Sequence, residues 1–176
     1  MKIGLLRHFK VKLKFPGKLL VSYDEVFKWY ENYGTAEVEV KDVDLCGVDW
    51  KKCYSSPLYR AAITTGSVYK KEVTVIDDLK ELDALPLLNK KSRMPFLLWG
   101  LMLKIKSTQK NDITNEFESK ISDFLNDMLK NNSDDVLIIS HGFVMTFIQK
   151  ELKKKGFKGD NFFVPAYGKV YLYEKK

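Results

Sequence analysis

Two aliphatic runs in this chain end in the same way. Ile3-Gly4-Leu5-Leu6 leads into Arg7-His8, and Val136-Leu137-Ile138-Ile139 leads into Ser140-His141-Gly142. Four consecutive apolar residues without polar alternation fit a strand covered on both faces, the habit of parallel sheets in α/β folds. In open sheets of that kind, ligands occupy the crevice outside the carboxyl ends of the strands. The chain contains only two histidines, and both stand at that edge. A strand-end hydrogen bond would satisfy either imidazole alone. It explains the pairing poorly, and it does not explain the guanidinium of Arg7 beside one of them.

The intervening residues read as alternating strands and helices. Lys2 to Leu6 is the first strand. Tyr23 to Tyr33 carries Val26, Phe27, Tyr30 and Tyr33 at helical spacing, and Gly34 is placed to end the helix. Cys53-Tyr54 is a short strand, after which Ser55 and Ser56 offer capping hydroxyls and Pro57 suits a first helical position. Arg60 then falls in the opening turn of a helix reaching about Tyr69. Val73 to Ile76 is a β-branched run expected to be a buried strand. Leu79 to Pro95 contains prolines and little periodicity and reads as loop with a turn or two of helix. Met94 to Ile105 reads as a helix or as part of a lid. Asp112 is placed to cap an amphipathic helix over 113–129, with Ile113, Phe117, Ile121, Phe124, Leu125, Met128 and Leu129 on its apolar face. A loop over 131–135 precedes the strand at Val136, and Phe143 to Leu152 is again helical. Phe162 to Val164 and Val170 to Tyr173 read as closing strands. The pattern predicts an α/β three-layer sandwich with a central, mostly parallel sheet and helices on both faces, in a single domain covering 1–176.

Composition narrows the function. Of 176 residues, 45% are hydrophobic and 30% charged, which argues against wholesale disorder. No stretch reaches the roughly 18 apolar residues of a spanning helix. The opening MKIGLLRHFK is charged too soon for a secretory signal, so a cytoplasmic enzyme with no membrane partner is expected. Cys46 and Cys53, without a second pair, support neither a metal knuckle nor a disulfide framework. With 30 Lys+Arg against 23 Asp+Glu the net charge is +7, favouring anionic partners. The lysines at 153–155, 175 and 176 read as a solvated face, and no nucleic-acid surface is expected from them. Lys10, Lys12, Lys14 and Lys18 differ because they follow Arg7-His8.

A neutral imidazole nitrogen can attack phosphorus while guanidinium groups hold the phosphoryl oxygens. Arginine forks match phosphate geometry and stay charged. Their field also favours the uncharged form of a neighbouring histidine, keeping a nucleophile free. Arg60, near a helix N-terminus, adds a second guanidinium where unpaired backbone N–H groups already favour anions.

In their order and spacing, Leu6-Arg7-His8, the segment from Ser55 to Thr65 (SSPLYRAAITT) and Ser140-His141-Gly142 resemble the three signature blocks of the histidine phosphatase family, the phosphoglycerate-mutase-like group, and most closely its short phosphatase members. The resemblance implies a phosphomonoester hydrolase in which His8 is transiently phosphorylated and Arg7, Arg60 and His141 hold the phosphoryl group. Glu81, in Leu79-Lys80-Glu81-Leu82, resembles the family's acid, which protonates the departing oxygen and then helps activate water; Asp77, Asp78 and Asp83 are neighbouring alternatives. The substrate is expected to be a small phosphorylated metabolite, with no cofactor and no metal, and the protein a monomer or homodimer. A phosphoglycerate-type mutase and a non-enzymatic phosphate-binding domain are the alternatives. Two departures stand out. Phe9 occupies the family's usual glycine position, so its side chain must find room near the pocket. Lys10 and Val11 replace an acidic residue and a threonine, and Lys10 or Lys12 is expected to compensate electrostatically.

Overall fold

The computed structural model describes residues 1–109, 111–131 and 133–175. Asn132 of the expected 131–135 loop and Lys176 of the C-terminal lysines therefore lie outside the described residues. The central sheet has six strands: β1 (Lys2–Arg7), β3 (Lys52–Ser55), β4 (Val73–Val75), β6 (Val136–Ser140), β7 (Lys158–Gly159) and β8 (Val170–Glu174). Their order is β4-β3-β6-β1-β8-β7. The first four run parallel, and β8 and β7 are antiparallel additions. A separate two-stranded ribbon joins β2 (Val21–Ser22) to β5 (Arg93–Met94). The helices are α1 (Tyr23–Thr35), α2 (Tyr59–Val68), α3 (Phe96–Thr108), α4 (Asp112–Lys130) and α5 (Gly142–Lys154).

The aliphatic runs are buried on both sides, as a covered sheet requires. Ile3, Leu5, Val136 and Ile138 pack with Ile121, Leu125 and Met128 of α4 and with Val144, Met145 and Ile148 of α5. The alternate residues Leu6, Leu137 and Ile139 face the other way, against Trp50, Cys53 and Tyr69. This period-two alternation fixes the register, because a one-residue slip would exchange the two cores. Each aliphatic side chain so buried contributes about 1.5–3 kcal/mol.

Several elements differ from the sequence expectation. Val73–Val75 is the sheet's edge strand and is not buried: it pairs only with β3, and Val75 is 59% exposed. Phe162 to Val164 is not a strand. Phe162 is tethered by its N–H to Gln149 Oε1 and its ring lies against Tyr171, while Phe163 and Val164 are exposed. The outer edge is supplied instead by Lys158–Gly159. Gly159 makes that pairing possible, since a Cβ there would stand 2.1 Å from the Leu172 carbonyl oxygen. Helix α1 is capped by Ser22 and Glu25 and passes Gly34 to end at Thr35. Helix α4 is capped by Asn111, with Thr114 returning the hydrogen bond, and Asp112 falls in its first turn. Helix α2 begins at Tyr59 without a side-chain cap, because its cap position falls on the apolar Leu58 and not on Ser55 or Ser56. Among the described residues no helix is long and apolar enough to cross a membrane.

Candidate active site

Parallel pairing places the chemistry-bearing residues at one edge. Arg7 is in register with Ser140, and Ser55 with Ile139, so β1, β6 and β3 finish side by side. Backbone bonds extend the alignment past the strand ends: His8 N–H donates to the Ser140 carbonyl at 3.0 Å, and Ser56 N–H to that of Ile139 at 3.0 Å. His8 thus follows β1 and His141 follows β6. Arg60 comes from the first turn of α2 after β3, and Glu81 follows the 3-10 turn (Asp77–Leu79) after β4. Each of the four parallel strands delivers one part of the cluster.

His8 is 1% exposed and His141 fully buried, with ring centroids 5.0 Å apart. His8 Nδ1 lies 2.6 Å from the Phe9 carbonyl oxygen, a group that only accepts, so the ring proton is on Nδ1 and the Nε2 lone pair is free. Burial, then Arg60, lowers the His8 pKa from 6.5 to about 3, against a raising effect from the Phe9 carbonyl; Arg7 adds a smaller lowering. His141 is shifted the same way by burial, Arg60, His8 and Arg7. Its Nε2 lies 2.8 Å from Ser56 Oγ, which itself accepts from Leu58 N–H. The Ser56 hydroxyl keeps its own proton to donate to Nε2, and in that tautomer the His141 proton is on Nδ1, 3.6 Å from Glu81 Oε2.

Glu81 Oε2 is also 3.9 Å from Arg60 Nη2, and Oε1 accepts from Phe143 N–H at 3.3 Å. Burial raises the Glu81 pKa despite both arginines, so the acid form is favoured relative to a free carboxyl. Asp77 instead pairs with Lys80 at the surface, and Asp83 accepts from Leu85 N–H. Arg7 donates from Nη1 to the Pro165 carbonyl at 2.7 Å, and its guanidinium carbon lies 3.6 Å from the Tyr167 ring centroid. Arg60 faces Tyr33 at 5.1 Å.

Among the described residues, four buried side-chain nitrogens lack a hydrogen-bond partner: Arg7 Nε, His8 Nε2, Arg60 Nε and His141 Nδ1. Each such group costs on the order of 1–3 kcal/mol, so four in one cluster require an explanation. Two guanidinium donors and two imidazole nitrogens left open in one buried cluster suit a tetrahedral oxyanion. His8, Glu81 and His141 also offer ligand atoms within 4.8 Å of one another. A cation there would face the two guanidiniums that already disfavour protonation of both imidazoles, so the charge arrangement fits an anion better than a metal.

Phe9 does not crowd the pocket. Its fully buried ring packs with Val11 and Val38, and its N–H donates to Thr64 Oγ1 at 2.8 Å. Gly168 closes over that ring at φ +58, where a Cβ would stand 2.4 Å from Lys41 Cε and 3.1 Å from Phe9, and its N–H holds the Arg7 carbonyl. The structure places Lys10 and Lys12 outside the cluster, exposed and paired with Glu39 and Glu37. Trp99 belongs to an apolar cluster with Val21 and Val26 and donates to the Val21 carbonyl, so this ring is core. Sequence reasoning missed Ser56 as a partner of His141, reading its hydroxyl as a helix cap. It also missed Tyr33 and Tyr167, whose positions carry no signal beyond aromatic character.

Comparison with protein families matches residues 34–170 to the histidine phosphatase superfamily, branch 1. The chain belongs to that superfamily. The matched span contains Arg60, Glu81 and His141, and the geometry above joins to it the Arg7 and His8 that precede it. The His8, Glu81 and His141 cluster is of the kind a histidine phosphatase uses on a phosphate ester. Comparison with curated proteins gives no match. Among solved structures, this chain is similar to phosphoserine phosphatase from Entamoeba histolytica, at 20% identity over 87% of this chain and 80% of that one, with a TM-score of 0.55. It is also similar to ecdysone phosphate phosphatase from Bombyx mori, at 14% identity over 98% and 90%, TM-score 0.55. YhfR from Bacillus stearothermophilus matches at 14% identity over 99% and 91%, TM-score 0.57. At these identities the likeness establishes the shared mixed α/β architecture, a central sheet flanked by helices.

Proposed function

We propose that residues 1–176 act as a phosphomonoester hydrolase of the short phosphatase type within the phosphoglycerate-mutase-like group, working through a transient phosphohistidine on His8. Four unpartnered buried nitrogens on two arginines and two histidines that feel one another's charge carry this reading.

The pinned Nδ1 proton leaves His8 Nε2 as nucleophile, and its lowered pKa keeps it uncharged across the neutral range. Nε2 attacks phosphorus while Arg7, Arg60 and His141 Nδ1–H hold the equatorial oxygens. The phosphorus–oxygen bond to the alcohol breaks as Glu81 delivers its proton, so a neutral alcohol departs. Water then attacks the phosphohistidine, Glu81 carboxylate takes its proton, and phosphate leaves with His8 restored. Burial of Glu81 supports the first role, and its contact with Arg60 the second.

His8→Ala, assayed by phosphate release from a phosphomonoester panel together with acid-stable and acid-labile protein-bound phosphate, tests the reading. Loss of release and of labile label supports it. Undiminished turnover overturns it, and a wild-type chain that labels without releasing phosphate indicates a transferase.

A further inference from the structure

The chain from Ala84 to Asn111 contains six Lys or Arg and no Asp or Glu. It includes α3, whose Leu97, Leu98, Leu101, Met102 and Ile105 are 75, 46, 52, 36 and 42% exposed. Among the described residues, α3 meets the apolar core through Trp99, Phe96 and Leu103. The patch extends beyond α3. The β2–β5 ribbon brings Leu20, 48% exposed, and Leu19, 84% exposed, beside the helix entry. Phe15 packs on Phe96 at 5.0 Å while remaining 62% exposed, and Lys104 Nζ lies 3.5 Å from the ring centroid of Phe163, itself 80% exposed. This many exposed large apolar side chains on and around one helix is rare on a chain that stays alone in water.

We propose that this face docks on an anionic lipid bilayer, with α3 lying in the plane of the interface. At 13 residues α3 is about 20 Å long, short of a roughly 30 Å hydrocarbon core, so it lies on the membrane and does not span it. Helix α3 is apolar on its outward side as well as on the side that meets the core, so burial of the outward leucines and attraction of the segment's lysines to anionic headgroups would add at a lipid surface. Lys90, Lys91 and Arg93 are exposed at the entry to the helix, and Lys104 and Lys106 follow within it.

Charge selects this occupant over a second copy of the chain. A two-fold contact sets the same patch against itself, so the lysines and arginine of residues 84–111 would meet their own images. Lysine is also depleted in the cores of protein interfaces, where arginine and aromatics dominate. The proposal departs from the sequence expectation of no membrane partner, and it stands independently of the phosphatase reading.

Flotation of the full chain with phosphatidylcholine vesicles, with and without 30% phosphatidylserine, tests the proposal. Binding is expected only to the anionic vesicles and weakens as salt is raised. The pair Leu97→Glu and Leu101→Glu, one turn apart on the helix, should weaken partition at least tenfold, and Lys91→Glu with Arg93→Glu by about tenfold or more. Circular dichroism and turnover of a soluble aryl phosphate should stay unchanged in both. No flotation of the wild type, or flotation indifferent to both double variants, overturns the proposal. So does a wild-type dimer in sedimentation that the Leu97/Leu101 pair converts to monomer.

Discussion

Glu81 is the residue whose neighbours are in sharpest conflict, since burial favours its proton while two guanidiniums oppose it. If its task is to protonate the leaving oxygen, its importance must scale with how badly that oxygen needs a proton. Glu81→Gln is therefore expected to lower kcat about 10²–10⁴-fold for an alkyl phosphate and far less for a nitrophenyl phosphate. Equal losses on both substrates would show that Glu81 acts otherwise. The pH profile divides in the same way. His8, at about 3, leaves its nucleophile uncharged throughout the working range, so kcat/KM corrected for substrate ionisation should have no acid limb near 6.5. The alkaline limb should follow loss of the Glu81 proton, displaced upward from a free carboxyl, and should vanish in Glu81→Gln. The histidines, Arg7 and Arg60 were legible because scarce residue types stood at strand ends and at a helix start. Tyr167, stacked on Arg7, was not legible, because only the return of the 165–168 loop over the sheet edge brings it there.

The strands and helices differ in what fixes them. Strands β1 and β6 could be read from the chain because burial on both faces leaves an unbroken aliphatic run. Strand β7 could not, since its two residues pair through the space left by Gly159 rather than through any pattern of their own. Helix α2 is similar: Ser55 and Ser56 look like caps, but tertiary partners claim both hydroxyls. The same helix fastens the end of β1 through Thr64, which accepts from Phe9 N–H within the core while donating to the Arg60 carbonyl. Thr64→Val keeps the shape and removes the acceptor, leaving a buried N–H unsatisfied. A loss of about 1–3 kcal/mol in urea unfolding is expected. Because the shifted segment carries His8, kcat should fall more than folding stability alone accounts for, and a normal kcat in the folded variant would deny this link.

Across the whole molecule, stability inherits the sign of the buried histidines. The unfolded chain binds protons at His8 and His141 as pH falls through 6.5, while the native state refuses one at His8 until about 3. Protons bound preferentially by the unfolded state destabilise the fold, so stability is lost as pH drops below 6.5. For His8 alone the loss reaches about 2 kcal/mol at pH 5. Glu81 has the opposite sign, holding its proton in the native state above the pH at which the unfolded carboxyl releases it. Melting temperatures measured from pH 7 to 5 should therefore fall, and His8→Asn should flatten the slope; an unchanged slope would mean that His8 is not held uncharged.

The sheet order also bears on how the protein is made. Strand β1 is made before the other five strands of its sheet, yet its two neighbours, β6 and β8, follow more than 120 residues later. Until β6 is made, Ile3, Leu5 and Leu6 have no native edge to join, and the imidazoles of His8 and His141 cannot meet. Nascent chains stalled before Val136 should be inert and adhesive, and returning activity after dilution from denaturant should track the last strand insertion rather than the first helices.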